Sequence, residues 1–366
     1  MKAAVYHGTN DIRIEEHATP EKRSDNIIIK VICCLICGTD LKIWQVGNPK
    51  VIPPRILGHE LIGEIVHIGW EESGFCIGDR VTLATTIPCG ECAYCQMGLG
   101  NICPSAKGIG TALDGAFAEY FEIPERTVKA GHLVKVPDSV PDEAGALSEP
   151  LSCALNAHQI VNVMPGDTVL IIGGGPLGAI HAELAKAEGA KQVILVEISK
   201  ERLLLLEHLK DVILIDGSSC DVQEIVKKHT HDLGADKAFI CAPSAPAFES
   251  VFTLVRKGGA ISFFASLPVG RSNITIDSRL IHYNELRVAG VSDSRPEHVV
   301  GAMGILKEER FNSSAIVTHR LGLEDILNGF KLMKEGKSLK VAIYPDEMRL
   351  KRAEKIGQIN GGTINA

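Results

Sequence analysis

Apolar residues are distributed in two different textures along this chain. Up to about Pro150 they fall in short runs, DNIIIKVICCLIC, LIGEIVHIG, DRVTLATT and AFAEYFEI, broken by turn formers such as Gly78-Asp79 and Asp114-Gly115. Short β-branched and aromatic runs between Gly, Pro and Asp turns predict strands, so this stretch reads as an all-β, barrel-like domain. Beyond Pro150 the strands become wholly apolar and alternate with helical segments: TVLIIGG, PLGAIHAELAKAEG, QVILVE, SKERLLLLEHLK, VILID. A strand with no polar alternation is buried on both faces, and this repetition predicts a parallel sheet covered by helices. ADKAFICA and GGAISFFAS continue the series to LRVAGV, near residue 291. The remainder mixes helical PEHVVGAMGILKEE and LEDILNGFKLMKEG with a strand, KVAIYP, and is free to rejoin the first domain. From about Arg349 a charged helix and then a frayed Gly- and Asn-containing tail are expected.

Length and composition narrow the class. A chain of 366 residues is long enough for two cores, which agrees with the change of texture. Hydrophobic residues at 45% and charged residues at 23% describe a folding, globular chain. A net charge of -7 and the lack of any basic run interleaved with aromatics exclude a nucleic-acid partner from the expectations. The start, MKAAVYHGTNDIRIEE, has no apolar stretch of signal-peptide length, and TVLIIGGGPLGAI is broken by glycines. Neither export nor a membrane span is expected. Eleven unevenly spaced cysteines in a chain of this size favour reduced thiols and metal ligands, and hence the cytoplasm.

Three constellations carry chemistry. Cys89, Cys92, Cys95 and Cys103 form C-x2-C-x2-C-x7-C in the turn-rich segment PCGECAYCQMGLGNICP, where four thiolates can close a tetrahedral zinc shell. An iron–sulfur cluster, which also takes four cysteines, is the rival. Cys37, His59-Glu60 and Glu149 are individually weak signals. Together, one thiolate, one imidazole and a carboxylate make a mixed set that leaves a coordination position open, as a catalytic metal requires. Asp40 is suited to fix the tautomer of His59. The third, VLIIGGGPLG, sets Gly173, Gly175 and Gly178 between an apolar strand and a helix that opens with Pro176 and Leu177. Glu197 ends the next strand, which completes the setting of a dinucleotide fingerprint. A carboxylate there accepts hydrogen bonds from the adenosine ribose and opposes a 2′-phosphate, so NAD is expected over NADP. The neutral Ile198 beside it agrees, while Lys200 and Arg202 soften the preference.

In order, CGTD (37–40), GHELIGEIV (58–66), the four-cysteine segment, EPLSCALNAH (149–158), GGGPLG (173–178) and SLKVAIYP (338–345) resemble the motifs of the medium-chain dehydrogenase/reductase superfamily. The likeness is to its zinc-containing alcohol, sorbitol and threonine dehydrogenase branch and runs from Met1 to about Pro345. It implies an α/β plus β chain: a Rossmann dinucleotide-binding domain, 151–291, inserted into a chaperonin-10-like β-barrel catalytic domain, 1–150 and 292–366. The active site is then expected in the cleft. By position the resemblance implies a catalytic zinc held by Cys37, His59 and one or both of Glu60 and Glu149, and a structural zinc on the four cysteines. Glu149 stands where simple alcohol dehydrogenases have a cysteine, a feature of the polyol and threonine side of the branch.

Thr39 matches the family's first proton acceptor. Lys42 stands where alcohol dehydrogenases often have a histidine, so the end of the relay departs from the pattern; Lys42 then meets substrate or cofactor, or is simply solvated. A residue matching Arg202 packs near the adenine. The resemblance implies a homodimer or homotetramer that oxidises a small secondary alcohol, a polyol or cyclitol, to the ketone. The alternatives are an L-threonine 3-dehydrogenase and a non-catalytic zinc or nucleotide-binding protein, which would have eroded a catalytic set that is intact here. Arg271, Arg279 and Arg295 are candidates for an anionic substrate group, or scattered surface residues.

Overall fold

The computed structural model describes residues 1–359. It divides into two units: Met1–Ser152 with Asp293–Glu309 and Ser313–Ala366, and Cys153–Ser292 with Arg310–Asn312. The first is built on a sheet whose order is Leu133–Lys135, Arg80–Leu83, Glu60–Ile68, Asn26–Leu35, Lys340–Tyr344, Val317–Gly322, with Tyr120–Pro124 also paired to Asn26–Leu35. A smaller sheet joins Asp11–Glu16, Lys2–Gly8 and Arg55–Ile56. The C-terminal strand Lys340–Tyr344 lies antiparallel to Asn26–Leu35, so the end of the chain does return to its beginning. Asn26–Leu35 is buried along almost its whole length. Its Ile27, Ile29 and Val31 pack with Leu61, Ile65, Val81, Phe117 and Phe330 into one core. Each such side chain contributes roughly 1.5–3 kcal/mol by leaving water.

The stretch read as all-β also contains helices. Gly38–Val46 is helical because Cys37 and Asp40 cap it reciprocally, a short-range signal that outweighs the β-type run before it. Asp142–Val161 is a 20-residue helix that carries Pro150 inside it. The Ser148 and Ser152 hydroxyls donate to the carbonyls of Gly145 and Glu149 near that proline. The charged helix expected from Arg349 runs over Glu347–Ile359; the frayed tail lies outside the described residues.

The second unit is a six-stranded parallel sheet. Its order is Val212–Asp216, Gln192–Glu197, Thr168–Ile172, Ala235–Ile240, Val255–Phe263, Arg287–Gly290. The order reverses at Thr168–Ile172, and in an open parallel sheet the crevice at that reversal, at the carboxyl ends of the strands, is where ligands bind. Leu170, Ile172, Ile194, Val196, Ala238, Ile240 and Ile261 form its buried layer. Among the described residues no helix is long and apolar enough to cross a membrane.

Candidate functional site

The four-cysteine segment folds into two short helical turns, Ala93–Gln96 and Gly100–Ile102. Gly90, before the first turn, and Gly98, between the two, make left-handed bends with φ of 85° and 75°. Neighbouring sulfurs lie 3.5 Å (Cys92–Cys95), 3.6 Å (Cys103–Cys89), 3.7 Å (Cys92–Cys103) and 3.8 Å (Cys89–Cys95) apart. A tetrahedral ion with Zn–S bonds of about 2.3 Å requires sulfurs about 3.8 Å apart. The segment therefore has room for one ion and not for a multi-iron cluster, in which the irons spread the thiolates wider. Backbone N–H groups of Glu91 and Cys92 pull the Cys89 thiol down to about 6, whereas desolvation, and then Cys92 beside it, push Cys95 up to about 12. Four thiols so close cannot all ionise unless a cation joins them. All eleven cysteines are free of disulfides.

A second group of donors converges in the same unit: one ligand atom each from Cys37, His59 and Glu60, all within 4.8 Å of one another. Local geometry explains why. Cys37 caps the helix Gly38–Val46, its sulfur accepting from Thr39 N at 3.5 Å. Asp40, fully buried, accepts from Cys37 N at 2.9 Å and from Gly58 N at 3.2 Å. It also faces His59 Nδ1 at 3.6 Å. One carboxylate thus ties the Cys37 and Gly58 amides together and faces one ring nitrogen of His59, an arrangement in which the other ring nitrogen could hold a metal. Gly58 has φ of 90°, and a Cβ there would lie 2.8 Å from the Phe117 ring, so the approach to His59 is open only to glycine. Burial would depress the His59 imidazole, but the Asp40 and Cys37 charges outweigh it and hold its pKa well above the ordinary value. A pocket this rich in negative charge recruits a cation, and its soft and hard donors suit zinc.

The two glutamates are treated differently. Glu60 opens the strand Glu60–Ile68 opposite Leu35, and Leu35 also faces Ala342 of the returning strand. That register sets Lys340, almost fully buried, against Glu60, where its Nζ bonds both carboxylate oxygens and the carbonyl of Ile36 at 3.5 Å. Burial opposes the ammonium, yet Glu60 and Cys37 raise its pKa above the ordinary lysine value, so it stays charged. Glu149 stands outside the three-residue group. It is buried on the helix Asp142–Val161 and accepts from Thr85 Oγ1 at 3.1 Å. Burial, helped by Glu60 and Asp293 and opposed by His59 and Lys340, pushes its carboxyl up to about 7. Lys340 and Thr85 were not singled out from the sequence. A lysine heading an otherwise apolar strand, SLKVAIYP, was the available signal for the first; nothing local marks the second.

Thr39 and Lys42 are both exposed on the Cys37-capped helix. The three arginines do not form a group: Arg279 lies 5.3 Å over the Tyr283 ring, Arg295 pairs with Glu297, and Arg271 sits in an exposed turn.

In the second unit the glycines have separate duties. A Cβ at Gly173, whose φ is 107°, would lie 2.7 Å from Ala242 N, and one at Gly178 would lie 1.9 Å from Gly173 O. Gly175, the cap of the helix Pro176–Ala187, faces open space, with nothing within 4 Å of its would-be Cβ. That is the cradle a pyrophosphate fills at a helix N-terminus. Beside it a cavity of about 650 Å³ is lined by Gly173, Glu197, Ile198, Gly217 and Ala242. Glu197 is buried and accepts from Gly174 N (2.8 Å), Ile198 N (2.7 Å) and Ser199 N (2.9 Å). It therefore ties the glycine turn to the strand end as well as lining the cavity. Arg202 Nη1 lies 3.8 Å from it. The fingerprint spacing did not reveal the Gly174 tether.

A closed thiolate site, an open mixed site and a dinucleotide cradle together define a metal-dependent oxidoreductase. Residues 23–138 match the alcohol dehydrogenase GroES-like domain and residues 176–308 the zinc-binding dehydrogenase domain. The chain is 33% identical to a sorbitol dehydrogenase of Halalkalibacterium halodurans, covering 94% of this chain and 99% of that one. It is 31% identical to an L-threonine 3-dehydrogenase of Rhizobium rhizogenes, covering 90% and 94%. The crystal structure of 2R,3R-butanediol dehydrogenase from Bacillus subtilis superposes with a TM-score of 0.85 at 28% identity, over 94% of this chain and 99% of that one. The chain belongs to the zinc-dependent medium-chain dehydrogenases, and it is an enzyme that uses zinc and NAD.

Proposed function

We propose that this enzyme oxidises a secondary alcohol of a polyol or cyclitol to the ketone. The observation that carries the reading is the buried carboxylate of Glu149, which stands outside the Cys37, His59 and Glu60 group but close enough to feel the charges of His59 and Glu60, where a second thiolate would make a softer site. Neighbouring hydroxyls of a polyol suit such an oxygen-rich surrounding. Cys37, His59 and a glutamate would hold the catalytic zinc, which would supply Lewis acidity toward the substrate hydroxyl, and the glycine cradle would hold the NAD that would supply the hydride acceptor. Thr39, exposed two residues after Cys37, takes the hydroxyl proton. Asp40 keeps His59 in the coordinating tautomer. Lys340 cancels the charge of Glu60 and holds both its oxygens, while Glu149 accepts from Thr85, and one or both of these glutamates complete the set. Lys42 is solvated and takes no part. Gly173, Gly175, Pro176, Leu177 and Gly178 cradle the pyrophosphate, Glu197 takes the ribose hydroxyls and Arg202 lies near the adenine. The catalytic domain is residues 1–150 and 292–366, in a cytoplasmic homo-oligomer.

A second reading, oxidation of L-threonine, is favoured by the L-threonine 3-dehydrogenases among the relatives. A panel of polyols, inositols, sugar acids, vicinal diols, L-threonine and ethanol, followed by reduction of NAD, decides between them. A polyol or diol is expected to give the highest kcat/KM. L-Threonine at the top would establish the second reading, and ethanol at the top would reject both. The same assay with NAD and NADP, in wild type and Glu197→Ser, tests the cofactor reading. An unchanged ratio would remove the ribose role and leave Glu197 as a tether.

A further inference from the structure

The first unit holds a cavity of about 400 Å³ that neither the metal donors nor the dinucleotide cradle uses. Its inner wall is apolar. Ile56 comes from the smaller sheet, Leu83, Phe121 and Ile123 from the larger one, and Ile87 and Ile109 from the segments that flank the four-cysteine lobe. All six are buried. The exposed residues of the lining, His17, Ala18, Thr19, Glu21 and Asp114, mark the mouth. Thr127 lines the same cavity. It is 1% exposed and its Oγ1 has no hydrogen-bond partner, the one such group among the described residues of the lining.

We propose that this cavity is a second, non-catalytic binding site for a neutral aliphatic alcohol or ketone of roughly ten heavy atoms, with its chain against the isoleucine wall and its oxygen on Thr127.

Size, polarity and charge each narrow the occupant. The volume falls at the lower end of the range of about 300–1,000 Å³ in which small organic molecules bind. Protein interiors are close-packed, so an unfilled apolar space forfeits contacts that a chain of methylenes restores. Water is a poor substitute, because it needs about two to four polar partners and the side chains of the six wall residues offer none. A buried hydroxyl without a partner is costly, and the oxygen of an alcohol or ketone supplies the missing bond, since Thr127 can donate to either. One unpartnered group calls for one polar atom in the ligand. A polyol would leave its other hydroxyls facing isoleucine, which separates this site from the one that carries out dehydrogenation.

The lining also disfavours ions. Asp114 is held by Arg55 at 2.8 Å, and Glu122 pairs with Arg23. Met1 N donates to His17 O at 2.8 Å. No lysine or arginine lines the cavity to receive a carboxylate or phosphate, and Glu21, exposed at the mouth, repels one. An ammonium drawn in to Thr127 would exchange its water for a single hydroxyl.

The test is titration of the zinc-loaded enzyme, without NAD, with n-octanol. Binding is read from the δ-methyl resonances of Ile56, Ile87, Ile109 and Ile123, assigned with single isoleucine-to-valine variants. The four are expected to shift together with one Kd. Thr127→Val exchanges an unpartnered hydroxyl for a methyl, so it is expected to fold and to bind n-octanol about three- to tenfold more weakly. Leu113→Trp, which fills the cavity from its lining, is expected to abolish binding. Octanoate and octylammonium are expected to bind at least about tenfold more weakly than the alcohol, a comparison within the wild type that needs no variant. Isoleucine methyls that stay unshifted up to the solubility limit of n-octanol, an unchanged Kd in Thr127→Val, or a charged analogue that binds as tightly as the alcohol would each overturn the proposal.

Discussion

The four-cysteine lobe takes every donor from residues 89–103, held by its own turns. The mixed site takes Cys37 from a helix cap, His59 from a loop and Glu60 from a strand, with Lys340 returning from the far end of the chain. The lobe can close on an ion because four thiolates fill a tetrahedron, with only nearby backbone N–H groups, such as Cys89 N on Cys103 Sγ at 3.5 Å, beside them. In the proposed mixed site each candidate donor also has a protein neighbour: Thr39 N bonds Cys37, Asp40 faces His59, Lys340 bonds Glu60 and Thr85 bonds Glu149. Donors braced from outside keep their places when a coordination position changes hands. The comparison leads us to expect that the lobe depends on its ion for stability more than the mixed site does.

Paired variants would break the comparison most sharply. His59→Ala is expected to lower kcat at least about a thousandfold while dinucleotide binding survives, because the glycine turn and Glu197 belong to the second unit and His59 to the first. Cys95→Ala is expected to do the reverse, lowering Tm and metal content while folded molecules keep near-normal kcat. A near-normal kcat in His59→Ala would remove it from the metal site. Next comes Lys340→Met, which leaves a buried, uncompensated carboxylate on Glu60 and is expected to cost about 3–5 kcal/mol in denaturant unfolding. Lys340→Arg restores most of it; equal stability of Lys340→Met and wild type would show that Glu60 does not need the ammonium. The smallest effect is expected from Asp40→Asn. It preserves the shape of the cap but weakens the hold on His59, for a loss of about 10–100-fold in activity or zinc affinity. Unchanged zinc affinity and kcat would mean that the imidazole is oriented by something else.

The sequence showed the lobe and the dinucleotide cradle better than it showed the mixed site, for the same physical reason. Cysteines 89–103 and glycines 173–178 act within one local segment, so spacing reports geometry. Cys37, His59 and Glu149 are far apart in sequence, and their association came from resemblance rather than from spacing. Lys340 escaped because its partner is set by strand register across the sheet, which no local window contains. Thr85 escaped because its partner, Glu149, comes from a helix 64 residues further on. The helix Gly38–Val46 was missed because the cap that starts it is a cysteine, an unusual choice for that position. At Glu197 the strand-end carboxylate was legible, but its three backbone donors were not.

The central claim, one closed and one open zinc site in a single chain, is tested most directly by metal analysis during mild chelation with activity followed in parallel. Activity is expected to disappear with the loss of about one zinc while about one stays bound, and added zinc is expected to restore it. Full activity in metal-free protein, or both ions leaving together at the same rate, would contradict the account.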